Sequence, residues 1–335
     1  MKDRRTLGRM ALLFFCISAG GALLFFTSQV YTNVYLKSVV RLEPQLASTL
    51  VMLSTLALFP LTIFFGWLSD HIGRKPVLMA GLLLGFLSII PVFNGLLHFG
   101  NPSLQQFNRT VPVVLQGAPC AYSPFADPAN DCERNQQYLT KHGVSYTLQS
   151  GPATAEAAVS IGTDTRISGF QPAALSEALK AHGWSAQADP QQINRFMLFL
   201  LLLIPVVAVA LITGPQTAVL AELFPARTRY TAAALPHNLS AGWIGGLSPF
   251  MVTYLSVQAG NAMAGLWYPV GLLGFALVVG VLLVFASLIL PALAVRHRLL
   301  IIEDDAYGDL RFDGEEVPAL AALAREAGAE DRLVY

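Results

Sequence analysis

Six apolar stretches, each long enough to cross a bilayer, constrain this chain more than any other feature. A transmembrane helix needs about 20 largely apolar residues to span a hydrocarbon core of about 30 Å. Met10 to Leu36, Leu46 to Trp67, Val77 to Leu97, Phe196 to Ala221, Tyr230 to Val257 and Leu266 to Ala294 all qualify. One such stretch fits the core of a soluble protein, but six cannot be buried in a soluble fold of 335 residues. The chain is 54% hydrophobic and 13% charged, about half the charge share of an average soluble domain. The expected class is an all-α membrane protein with six transmembrane helices. A net charge of zero gives no reason to expect a nucleic-acid partner.

Lys and Arg beside the spans set the orientation. Lys2, Arg4, Arg5 and Arg9 precede the first span, and Arg74 and Lys75 lie between the second and third. Arg227 and Arg229 link the fourth and fifth, and Arg296 and Arg298 follow the sixth. If all six stretches cross, these four places share one side. The other side has only Lys37 and Arg41 in its first link and no charge in Gln258 to Gly265. Both termini are therefore expected in the cytoplasm. The basic start followed by apolar residues also resembles a signal peptide, but the apolar run is too long and lacks a small-residue cleavage site before Asn33. A retained helix is the expectation.

This divides the chain into residues 1–97 with three spans, an insertion at 98–195, residues 196–298 with three more spans, and an acidic tail at 299–335. The insertion is rich in Pro, Gly, Ser, Asn and Gln, and the topology puts it outside the cytoplasm. Its Cys120 and Cys132 either pair, as an oxidising compartment permits, or remain two free thiols. Pro172 to His182 has helical spacing, with Gly183 as a stop. In the tail, Pro318 to Ala327 has amphipathic spacing within a solvated, acidic stretch. Asn108-Arg109-Thr110 fits the short glycosylation pattern.

The densest motif is GWLSDHIGRKP, Gly66 to Pro76, where one span ends and the next begins. Gly66 and Gly73 permit close backbone approach and unusual dihedrals. Asp70, flanked by Arg74 and Lys75, can accept hydrogen bonds from a neighbouring helix N-terminus, where the dipole favours negative charge. The plainer reading is a basic loop with a charge pair. With Glu222, Arg227 and Arg229 at the end of the fourth span, the cluster would form a charge network able to latch two bundles on the cytoplasmic side.

Gly66, Leu68, Ser69, Asp70, Gly73, Arg74 and Lys75 together resemble the loop signature of the major facilitator superfamily. Ala19 to Leu36 (AGGALLFFTSQVYTNVYL) resembles helix seven of its metabolite:proton symporter family. Ala221 to Phe250 (AELFPARTRYTAAALPHNLSAGWIGGLSPF) resembles that family's link between helices ten and eleven and the glycine-rich helix after it. The resemblance covers the membrane part of the chain, as helices seven to twelve, and excludes the insertion and the tail. It implies a symporter of the bacterial inner membrane that imports small carboxylates, proline, betaines or shikimate-like compounds with protons, using no cofactor. The family has twelve helices in two halves, with substrate at the midplane between them. Six helices therefore imply one half working with a separate N-terminal half, a homodimer, or a truncated and inactive product. The first and third are preferred, because the two halves of this fold are not interchangeable.

Polar residues at membrane depth are costly and tend to face a cavity or another helix. Gln29, Thr32 and Asn33 share one face at helical spacing, with Thr27 and Tyr31 on an adjacent stripe. This helix is the first candidate for a solute-lining wall, and ordinary interhelical contacts are the alternative. His237 and Asn238 lie in the fifth span, where an imidazole with an ordinary pKa near 6.5 suits proton exchange. The resemblance implies Tyr at that place, so a neutral hydrogen-bonding role competes. Gly242, Gly245, Gly246 and Pro249 in the same span, and Pro205 and Gly214-Pro215 in the fourth, are bend sites. The sequence has no nucleophile–base context, metal-ligand cluster or phosphate loop, so no enzyme is expected. The competing function is a membrane-anchored binding or sensing protein acting through its insertion.

Overall fold

The computed structural model describes residues 13–117, 120, 127–150, 156–222, 229–297, 301–302 and 333–334. The basic start at 1–9, Arg227, Arg298 and the expected tail helix at 318–327 lie outside these residues. The described chain is mostly helical. The first apolar stretch forms one helical rod over 13–38, but it alternates between wide and ordinary turns. A π-turn at Leu13–Ser18 leads into α1 (Ala19–Phe25), and a second at Phe26–Tyr31 leads into α2 (Thr32–Ser38). In the second, the Thr32 N–H reaches back five residues to the Thr27 carbonyl.

Two long helices follow. α3 (Pro44–Ile72) starts on Pro44, whose missing N–H would be unpaired there anyway. It ends at Gly73, and α4 (Arg74–Gly100) begins at the next residue. Gly73 has φ +91°, which only glycine adopts readily, so a one-residue hinge joins the helices. α5 (Pro102–Thr110) is capped by Asn101, whose Oδ1 accepts the Leu104 N–H at 3.0 Å.

The insertion requires one correction to the all-α expectation: it contains a four-stranded sheet. β1 (Val113–Gly117), β2 (Thr147–Ser150), β3 (Ala158–Ile161) and β4 (Thr165–Ser168) are arranged β2-β1-β3-β4. β1 and β2 are parallel, joined through α6 (Asp131–Lys141), and β3 and β4 form a hairpin around Gly162. In β1 the burial alternates, with Val113, Leu115 and Gly117 inward, as a half-covered strand requires. α6 opens with a reciprocal cap: Asn130 Oδ1 accepts the Glu133 N–H at 2.9 Å, while Glu133 Oε2 accepts the Ala129 N–H at 2.8 Å. α7 (Pro172–Ala181) closes the insertion near the expected position, with Gly183 just beyond it at φ +90°. Cys120 and Cys132 form a disulfide, which decides the alternative left open by the sequence.

α8 (Arg195–Glu222) runs unbroken through both Pro205 and Pro215. The next apolar stretch is interrupted: α9 (Arg229–Leu239), a π-turn at Ser240–Gly245, then α10 (Ser248–Ala259). α11 (Trp267–His297) follows a single 3₁₀ turn at Ala264–Leu266. A two-residue parallel pair, β5 (Ile301–Ile302) with β6 (Leu333–Val334), completes the described chain.

Four helical segments are long and apolar enough to cross a membrane: Pro44–Ile72, Arg74–Gly100, Arg195–Leu220 and Ala264–Leu282. α8 is the centre of the packing, lying along both α3 and α4. Small residues let it approach closely. A Cβ on Gly214 would fall 2.8 Å from the Gly66 nitrogen and 3.0 Å from the Thr62 carbonyl oxygen, so the two backbones touch. A Cβ on Gly81 of α4 would fall 2.9 Å from Leu211 Cβ.

Candidate functional site

The first rod was expected to present Gln29, Thr32 and Asn33 as one wall, and the π-turn changes their placement. A wide turn contains more residues than an α-turn, so positions three and four apart no longer stack. Thr32 points into the bundle, 1% exposed, and its hydroxyl donates to the Thr27 carbonyl at 2.9 Å. Tyr31 is also buried, its ring 5.6 Å from that of Phe93 and 6.1 Å from that of Tyr35. Gln29 and Asn33 remain half-exposed. Gln29 reaches across to α3, where its Oε1 accepts the Thr55 hydroxyl. No sequence signal marked Thr55, because it lies in an otherwise apolar helix.

Beside this turn is a narrow apolar cleft between the first rod, α4 and α8, lined by Leu24, Thr27, Ser28, Ile89, Val92, Phe93 and Pro205. It does not admit water. The rod is therefore closely packed against α4 and α8 at this cleft. Gln29, Asn33 and Thr55, with Asn238 on α9, are among the polar groups still open to an outside partner.

His237 is not isolated. Its Nδ1 lies 3.4 Å from Gln216 Nε2 on α8. With the amide nitrogen as donor, Nδ1 accepts this bond. Gln216 is 7% exposed and lies beside Gly21 of the first rod. Gln216 was missed because the Gly214-Pro215 pair just before it reads as a bend site rather than a polar contact. Asn238 is exposed and donates to the Ala234 carbonyl at 2.9 Å, within its own helix. The structure therefore splits the expected His237–Asn238 pair, with one side chain turned to α8 and the other outward. Of the expected bend sites in that span, Gly245 meets the first rod, where a Cβ would fall 2.7 Å from Phe26 Cδ2 and 2.9 Å from Ala22 Cβ.

At the opposite end from the insertion lies the GWLSDHIGRKP turn. Gly66 forms the backbone crossing with Gly214, flanked by Thr62 and Thr213, whose hydroxyls are 3.5 Å apart. One turn on, the Ser69 hydroxyl donates to the Gly66 carbonyl at 2.7 Å. Asp70 is exposed and pairs with Arg74 across Gly73 at 3.7 Å. Lys75 is also exposed. The structure brings together Gly66, Asp70, Gly73 and Arg74. The wider network is not tested by it, since Arg227 and the side chains of Glu222 and Arg229 lie outside the described residues. Asn108, in the glycosylation pattern, is already engaged: Nδ2 donates to the Gly143 carbonyl at 3.0 Å and Oδ1 accepts the Ser145 N–H at 3.0 Å.

The described residues contain no cluster of three or more His, Cys, Asp or Glu able to hold a metal ion. No protein-family model, curated protein or solved structure matches the chain.

Proposed function

We propose that this chain is one half of a proton-coupled secondary transporter of the bacterial inner membrane. It would move a small carboxylate, betaine, proline or shikimate-like solute by alternating access. In this reading the interrupted stretches over 13–38 and 229–259 also cross the bilayer, making six spans with both termini in the cytoplasm, and a separate N-terminal half completes the solute cavity. The observation that carries it is the Gly66–Gly214 backbone crossing directly above the Asp70–Arg74 turn. Two long helices whose backbones meet at a pair of glycines, with only the Thr62 and Thr213 hydroxyls beside them, can rock about that point with little local side-chain repacking, and the charged turn is placed to latch a partner bundle. The half-exposed Gln29 and Asn33, with Thr55 and Asn238, would then line the solute side facing the missing half. His237, held by Gln216, is the candidate proton carrier.

The test is uptake by vesicles containing the chain together with a six-helix N-terminal half, with and without an inward proton gradient. Proton-dependent uptake that disappears with Asp70→Asn supports the proposal. Absence of uptake with every such partner counts against it. A second reading is favoured by the well-built insertion: a membrane-anchored binding or sensing protein. Ligand binding to the chain that is insensitive to Asp70→Asn, with no transport, would select it.

A further inference from the structure

The insertion grips two separate parts of the bundle, through one of its helices and the segments that follow it. The first grip is Arg41, in the link between α2 and α3. Its φ of +66° is in the left-handed region that residues with side chains rarely adopt, and no other non-glycine among the described residues does so. Nε donates to the Ala186 carbonyl at 2.9 Å and Nη1 to the Lys141 carbonyl at 3.0 Å. The Arg41 carbonyl in turn accepts the Ala188 N–H at 3.2 Å. Lys141 is the last residue of α6, so the guanidinium occupies the helix end where the dipole favours a cation. Gly143, just beyond, lies against the same link: a Cβ there would fall 2.7 Å from the Val39 carbonyl oxygen.

The second grip is on the end of α10. Gln136, also on α6, donates from Nε2 to the Val257 carbonyl at 3.1 Å, and the Tyr146 hydroxyl donates to the same oxygen at 2.6 Å. The Tyr146 N–H donates to the Gly260 carbonyl at 2.8 Å. The Val257 carbonyl, in the last turn of α10, also accepts the Gly260 N–H at 3.1 Å. Each grip has one contact on α6, at Lys141 and at Gln136, and the rest on the segments after it, and the disulfide at Cys132 ties the first turn of α6 to Cys120. The two gripped ends also meet each other, with the Tyr35 hydroxyl 3.9 Å from Met263 Sδ.

We propose that the insertion is a clamp across this end of the bundle: α6 and the short segments that follow it, held to Arg41 on one side and, through Gln136 and Tyr146, to Val257 and Gly260 on the other, keep the first span and the α10–α11 link together. The bundle opens at this end only when α6 lets go. That consequence rests on the transport reading, whereas the clamp itself can be measured in the full chain without transport.

The test perturbs one grip and reads the other by amide hydrogen exchange on the full chain in lipid. Arg41→Ala is expected to speed exchange of the Tyr146 amide at least tenfold, and Gln136→Leu to do the same for the Ala188 amide. Amides of Leu115 and Val159 in the sheet should stay at the wild-type rate, which shows that the insertion remains folded. A Met263→Cys reporter then measures the seam. Its labelling by a membrane-impermeant maleimide, corrected for the chain without it, should rise at least fivefold on the Arg41→Ala background. If each variant speeds exchange only at its own grip, the two contacts are independent and the clamp is refuted. If exchange couples but Met263→Cys labels at an unchanged rate, the insertion does not govern opening. A failure of uptake in the vesicle assay with both exchange results intact would refute transport alone.

Discussion

The two ends of the helical bundle are held by opposite means. At the GWLSDHIGRKP end, α3 and α8 meet backbone to backbone through Gly66 and Gly214, with a one-residue hinge at Gly73 beside them. At the insertion end, contact is made by polar side chains on helix-end carbonyls, with Arg41 held in an unusual conformation by three hydrogen bonds. Glycine contact carries little directional preference and favours sliding or rocking. Hydrogen bonds with fixed donors favour a docked state that is either made or broken. One end is therefore built as a pivot and the other as a catch.

The largest effect separating the two ends should come from the disulfide. Cys120 and Cys132 are 12 positions apart, and losing the link from a loop of that size costs about 3 kcal/mol in the chain-entropy account. Cys120→Ser with Cys132→Ser should speed exchange of the Leu115 and Val159 amides and leave those of α3 and α8 unchanged. Equal acceleration in both would mean that the ends do not behave as separate units. Next, Gly214→Ala forces a Cβ against the backbone of α3 and should cost about 2 kcal/mol, read as a lower melting temperature in detergent. Gly271→Ala provides the contrast, because a Cβ there meets nothing within 4 Å and α11 should gain about 0.5–1 kcal/mol. If both substitutions are neutral, the Gly66–Gly214 contact is not a pivot.

Tyr146→Phe tests the catch more gently. The Val257 carbonyl keeps its bond from Gln136, so it is not left unpaired, and the cost should be about 1 kcal/mol. The expected readout is exchange of the Tyr146 amide faster by a factor of about five. The smallest effect should be one of pH. Burial lowers the pKa of His142, and the nearby charges of Arg41 and Lys141 lower it further, while its bond to the Tyr138 carbonyl opposes them. The folded chain thus binds this proton less readily than the unfolded chain. Its stability is kept above the unfolded His value of about 6.5 and is lost as pH falls below it. Melting temperature measured from pH 8 down to pH 5.5 should fall, and His142→Gln should flatten that decline. An unchanged slope would show that His142 does not contribute.

Legibility from the sequence followed the range of each interaction. The apolar helices could be read because each is continuous in sequence and the bilayer sets its length. The hinge at Gly73 could be read because the residues that make it are adjacent. The strands of the insertion could not, since four or five residues are too few to show a period against a polar background. Gln216 and Thr55 escaped because their partners, His237 and Gln29, lie on other helices. The grouping of Gln29, Thr32 and Asn33 failed for a different reason: it assumed α-helical spacing where the chain takes a π-turn.

By itself, the sequence determined that this is a chain of long apolar helices with a polar insertion, and where the sharp turn between α3 and α4 must fall. Both follow from local chemistry: transfer of apolar residues out of water, and the freedom of glycine at positive φ. Only the tertiary structure decided that Gly66 meets Gly214, that Gln216 orients His237, that the two cysteines pair, and that Arg41 pins the insertion to the bundle. Each of these depends on a partner distant in sequence, and that distance is set by packing.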